Sequence, residues 1–157
     1  MMRAICSAIL ATGLTALSMA GGKPLGNKPN YDGKFFWLKL GELPAATVKS
    51  LSKTNSILVD VSFPHDVKLK KDAGGNLWFT FILADQGGDW KWHQAPKAGG
   101  IQPVAGIIKA GTYTVTLPAD GIPRSVLGDK KQVISIGPNT SGLVAPISFS
   151  IERIRGK

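Results

Sequence analysis

Apolar and polar positions alternate with a period of two over several short stretches of the chain, each bounded by turn chemistry. In Ser56–Phe63, Ile57, Val59, Val61 and Phe63 share one parity, while Leu58, Asp60 and Ser62 take the other. That is the pattern of a strand with one face against a core. Residues 111–117 carry the clearest version, with Tyr113, Val115 and Leu117 alternating with three threonines, residue types that suit a half-buried pleated surface. Residues 76–84 are apolar on both parities through Leu77, Trp78, Phe79, Phe81, Ile82 and Leu83, as expected of a central strand covered on both faces. Asp72-Ala73-Gly74-Gly75 supplies the turn ahead of it. Residues 35–38, 132–136 and 147–154 predict three further strands. Helical spacing is confined to residues 44–52, a short candidate. Residues 21–33 show no periodicity and read as a flexible polar arm. The 19 glycines and 10 prolines fit many short strands joined by turns. Together these features predict one all-β domain over residues 34–157, an antiparallel β-sandwich of the jelly-roll kind.

The first twenty residues follow another logic. A short basic start ending at Arg3 precedes an almost wholly apolar run over residues 4–17, and Ser18-Met19-Ala20 then gives the small-x-small pattern that signal peptidase cleaves after. The run is too short to span a bilayer. Residues 1–20 are therefore read as a cleavable signal peptide, and the protein as secreted or periplasmic. The single cysteine, Cys6, and all three methionines lie in this leader. Cys6 is not set in a lipobox, which argues against a lipid anchor. The mature domain would rest on its hydrophobic core without disulfides, which a chain of this length can do.

The C-terminal half resembles a known family. Ala110-Gly111-Thr112-Tyr113-Thr114-Val115-Thr116-Leu117 is followed by a variable link, then by Gln132-Val133-Ile134-Ser135-Ile136-Gly137, and residues 146–155 close the succession. This resembles the galactose-binding-like jelly rolls, the fold of many non-catalytic carbohydrate-binding modules. In that family the last strand often carries an Asp-Asn pair before its final apolar residue and arginine; here Glu152 and Arg153 stand in those places. The resemblance covers about residues 56–155. It implies a fold and a sugar-binding role more than a particular ligand.

The strongest local chemical signal is Gly87-Gly88-Asp89-Trp90-Lys91-Trp92-His93-Gln94. In an extended segment Trp90 and Trp92 point to one face, and Lys91 and His93 to the other. A sugar ring offers a C–H face that stacks on an indole and a hydroxyl rim that needs donors and acceptors. Trp90 and Trp92 are accordingly the candidate stacking residues, with Asp89, Lys91, His93 and Gln94 as hydrogen-bonding partners. The competing reading is that the two tryptophans plug the core or cover an open end of the sandwich. Trp78, between Leu77 and Phe79, and Trp37, within residues 35–38, are assigned to the core. Tyr31 is either a rim aromatic or an ordinary surface tyrosine.

Catalysis finds little support. Glycoside hydrolysis needs two facing carboxyl groups, yet Glu42 and Glu152 are the only glutamates, and Asp60 and Asp66 read as solvated side chains. His65 and His93 are the only histidines, and no Gly-x-Ser-x-Gly elbow is present. Two distant histidines do not make a zinc site. Asp32 and Glu152 could approach one another to hold a structural calcium, but a basic chain has few carboxylates to spare for one. No enzyme activity, metal or cofactor is expected.

The net charge of +9, from 19 Lys and Arg against 10 acids, favours polyanionic partners such as acidic polysaccharide. Lys68, Lys70 and Lys71 form one cluster, Lys130 and Lys131 another, and Arg153, Arg155 and Lys157 a third. Taken singly, each cluster is also what turns and protected sheet edges look like. No nucleic-acid-binding motif appears. The sequence thus predicts an exported carbohydrate-binding protein with a polysaccharide or glycan partner, neutral or acidic, and no transmembrane segment. A structural or assembly module of the envelope or extracellular matrix, with its tryptophans at a protein contact, is the alternative.

Overall fold

The computed structural model describes residues 26–30, 36–71, 75–85, 92–94, 99–139 and 142–157. Its strands fall into two antiparallel sheets. The first has the order β1 (Gly26–Asn30), β11 (Ile147–Gly156), β3 (Ser56–Phe63), β9 (Gly111–Pro118). The second runs β2 (Phe36–Lys39), β10 (Gln132–Pro138), β5 (Leu77–Asp85), β6 (Trp92–Gln94), and β7 (Gly99–Ile101) also pairs with β5, along its first half. A separate two-stranded ribbon joins β4 (Val67–Lys68) to β8 (Ile107–Ile108). Two short helices, α1 (Ala45–Leu51) and α2 (Arg124–Leu127), complete the secondary structure together with a 3-10 turn at Leu40–Glu42. The fold is all-β and sandwich-like, and no helix among the described residues is long and apolar enough to cross a membrane.

The period-two pattern explains the packing. β3 turns Ile57, Val59, Val61 and Phe63 inward, β9 adds Val115 and Leu117, and β11 adds Phe149, Ile151 and Ile154. Facing them, β5 supplies Leu77, Phe79, Phe81 and Leu83, and β10 supplies Ile134 and Ile136. Phe79 sits 6.4 Å from Phe63 and 5.9 Å from Phe149, ring centroid to ring centroid, so aromatic contacts tie the two sheets together. Each such buried side chain contributes about 2 kcal/mol of apolar burial.

Two departures from regular pattern have local causes. Gly26–Asn30 lies within the segment expected to be a flexible arm, yet it pairs with β11 from Gly26 opposite Ile151 to Asn30 opposite Ile147. Backbone bonding to the edge of β11 needs no apolar alternation, and an edge position tolerates the missing N–H of Pro29. In β11 the inward residues are Ile147, Phe149, Ile151 and then Ile154. The step of three is absorbed by a register shift between Ile151 and Arg153, a β-bulge that leaves Glu152 as the extra residue.

One seam between the sheets is closed by a glycine. A Cβ on Gly99 of β7 would fall on a Val115 methyl and lie 2.5 Å from the Thr116 carbonyl oxygen of β9. Only a residue without a side chain lets these strands approach so closely.

Candidate functional site

The face of the second sheet turned away from the core is where the exposed aromatics lie. Register places Trp37, Ser135, Ile82 and Gln94 in one row across β2, β10, β5 and β6, and Lys39, Val133, Ala84 and Trp92 in the next. Strands β2 and β6 are three spacings apart, about 14 Å. The indoles of Trp37 and Trp92 nevertheless meet edge to face, 6.3 Å apart with planes at 88°, the geometry that aromatic quadrupoles favour. Both rings therefore lean across the intervening strands. Ile82, Ala84, Val133 and Ser135 are buried beneath this span although they belong to an outer face.

Trp78 stands at the other end of the same face. It pairs with Gly100 on β7, and a Cβ there would lie 3.0 Å from the indole, so the absence of a side chain lets the ring rest over that strand. Four residues of strand, about 13 Å, separate Trp78 from Ile82. Among the described residues, the row between them holds Thr80 and Gly137. Thr80 Oγ1 donates weakly to the Gly137 carbonyl, at 3.4 Å. The face thus carries exposed indoles at both ends.

Trp37 and Trp78 are not core residues. Their exposures are 43% and 39%, against 56% for Trp92. Both belong to strands that are apolar on both parities, where hydrophobicity alone does not say which parity faces in. Of the residues expected to bind, Trp92 and Gln94 share the outer face, while half-buried His93 pairs with Leu83 and takes the opposite side. Asp89, Trp90 and Lys91 lie outside the described residues, as do Tyr31 and Asp32. Ser135 is a site residue that sequence reading missed: its Oγ is buried under the indole pair without a hydrogen-bond partner among the described residues.

Polar groups elsewhere are engaged locally. Asp60 is not a solvated side chain, because it is only 7% exposed on the outer face of the first sheet. Arg155 and Arg153 both ion-pair with it, and Thr114 Oγ1 donates to it at 2.7 Å. Burial pushes the Asp60 carboxyl up, but hydrogen bonds from Arg155 and Thr114 and the charges of both arginines outweigh it and hold the pKa below the usual value. Asp66 is exposed and accepts from Lys109 Nζ at 2.8 Å and from the Ala110 N–H at 2.9 Å, which lower its pKa likewise. Glu152, the candidate calcium ligand, accepts a hydrogen bond from Ser150 Oγ. Among the described residues no three His, Cys, Asp or Glu side chains come together as a metal site.

Compared with family models, curated proteins and solved structures, the chain matches none. Functional inference therefore rests on the residues of this face.

Proposed function

We propose that this is an exported, non-catalytic carbohydrate-binding protein of galactose-binding-like, jelly-roll type, and that it binds sugar on the outer face of the second sheet. Strand order supports the fold part of this reading. The eight principal strands alternate between sheets along the chain except at β5 and β6, which are neighbours in the second sheet, with the last strand beside the first and the next-to-last beside the second, an order that suits a jelly roll.

One observation carries the ligand reading: Trp37, Trp78 and Trp92 are all substantially exposed on a single face. Isolated apolar side chains on a surface need no explanation, whereas a set of indoles on one face marks a binding surface. The perpendicular Trp37–Trp92 pair forms a corner, not a flat platform. A corner suits one sugar ring, stacked on one indole and walled by the other, better than the planar surface of a packed polymer. Gln94 and Lys39 stand at its margin as hydrogen-bonding groups. The apolar leader pattern of residues 4–17 supports export.

The test is retention of the purified mature domain on a panel of neutral and acidic polysaccharides and oligosaccharides, at low and moderate salt. Salt-resistant retention that disappears in the Trp37→Ala/Trp92→Ala variant is the expected result. Absence of retention across the panel, or retention that moderate salt abolishes, would overturn the stacking reading and leave the indoles to a protein contact.

A further inference from the structure

We infer that a cleft beside the β4–β8 ribbon is a second binding site, for an amphipathic anion: a phosphate or carboxylate head on an aliphatic chain. The cleft encloses about 650 Å³, within the range of small-molecule sites. Its walls divide by chemistry. Lys68, Lys70 and Lys71 line it as cations, while Ile107 and Val144 give an aliphatic surface. Val144 is 55% exposed, so part of that surface faces solvent. No aromatic ring and no carboxylate lines the cleft among the described residues.

The frame is fixed on both sides. The Leu69 N–H donates to the Gly106 carbonyl at 3.0 Å, and the Lys70 N–H donates to the Gly142 carbonyl at 2.9 Å. The Val144 N–H in turn donates to the Lys68 carbonyl at 3.3 Å. Alternation along this held segment buries Val67 and Leu69 and exposes Lys68 and Lys70. Asp66, two residues before Lys68, is engaged by Lys109 and the Ala110 N–H.

The opposite wall is a two-residue hairpin turn closed by mutual Val104–Ile107 backbone bonds of 2.9 and 3.0 Å. Its first central residue, Ala105, is held left-handed at φ 51°, a position where asparagine, aspartate or glycine is usual. Alanine there keeps a wall of the cleft apolar at the expense of backbone comfort. Among the described residues a sugar would find no aromatic plate in this cleft, and of side chains only the Gln102 amide to accept its hydroxyl protons. A lone inorganic anion would leave the aliphatic wall uncovered. An acid carried on a hydrocarbon chain satisfies both surfaces at once.

The site is separate from the indole face and stands without the sugar-binding reading. Calorimetry on the purified mature domain can test it with four probes: dodecyl phosphate below its micelle concentration, dodecyl maltoside, inorganic phosphate and a galacturonate oligomer. Dodecyl phosphate is expected to bind one to one and at least about tenfold more tightly than each of the others. Lys68→Ala/Lys71→Ala and, separately, Val144→Ser should each weaken it about tenfold or more with an unchanged thermal midpoint. Trp37→Ala/Trp92→Ala should leave it unaltered. Equal binding of inorganic phosphate, equal binding of the neutral maltoside, tighter binding of galacturonate, or no binding of dodecyl phosphate would each overturn the proposal.

Discussion

Arg155 reaches Asp60 because β11 holds one residue more than its partner strand requires. With a regular register after Ile151, Arg153 and Arg155 would face the core and Ile154 would face solvent. The bulge at Glu152 restores the parity, so that both arginines flank one carboxylate on the polar face of the first sheet.

Replacing Asp60 by Asn should destabilise the protein by about 1–3 kcal/mol, since a largely buried, charge-assisted set of bonds is lost. The native carboxyl has a depressed pKa, so its contribution is complete above the ordinary aspartate value of about 3.9. That contribution is lost as pH falls from there through the lower folded-state value. Urea midpoints measured across the acidic range should drop more steeply for the native protein than for Asp60→Asn.

Deletion of Glu152 should leave the domain folded, because it removes the extra residue and keeps Ile151 and Ile154 inward. Deletion of Thr114 from regular β9 should not be tolerated. It would flip one side of that strand and expose Val115 and Leu117, or Tyr113, in place of threonine. Near-ultraviolet circular dichroism of the two deletions distinguishes these outcomes: a retained aromatic signal for the first and a lost one for the second.

Gly99→Ala should cost about 1–3 kcal/mol by overpacking, since the new methyl meets both a Val115 side chain and the β9 backbone. A control at Gly75, where a Cβ would have nothing within 4 Å but φ is +88°, isolates the cost of backbone strain from that of collision. Chemical denaturation of both variants measures the difference.

A double-mutant cycle of Trp37→Ala and Trp92→Ala should give a coupling of about 0.5–1.5 kcal/mol. Ser135→Ala should be neutral or slightly stabilising, as it removes a buried hydroxyl that has no partner among the described residues. If Ser135→Ala cost as much as a core truncation, the buried-hydroxyl account of this position would be wrong.

Much of the frame was legible from parity alone. The alternations in Ser56–Phe63 and residues 111–117 correspond to β3 and β9, and the doubly apolar stretch from Leu77 is the central strand β5. Parity was silent where both faces are apolar, and so Trp37 and Trp78 were assigned inward although they stand outside. Asp60 illustrates a different limit. Its outward face follows from alternation, but its burial depends on Arg153 and Arg155, more than ninety positions further on, and on Thr114 in the adjacent strand. The convergence of Trp37 with Trp92 was equally out of reach, because it depends on two intervening strands from distant parts of the chain.

The order of strands also sets a schedule for folding. β10 lies between β2 and β5, and β11 lies between β1 and β3, so one inner strand of each sheet is among the last two made. A chain growing from its N-terminus has β1, β2, β3 and β5 with no sheet partner among one another, and the β4–β8 ribbon, the β3–β9 pair and the β6 and β7 additions to β5 are the described pairings that can form before β10. Loop closure over such separations makes nucleation slow. Until β11 emerges the chain has apolar strands without a core, and the whole domain should collapse into place in one late, cooperative step.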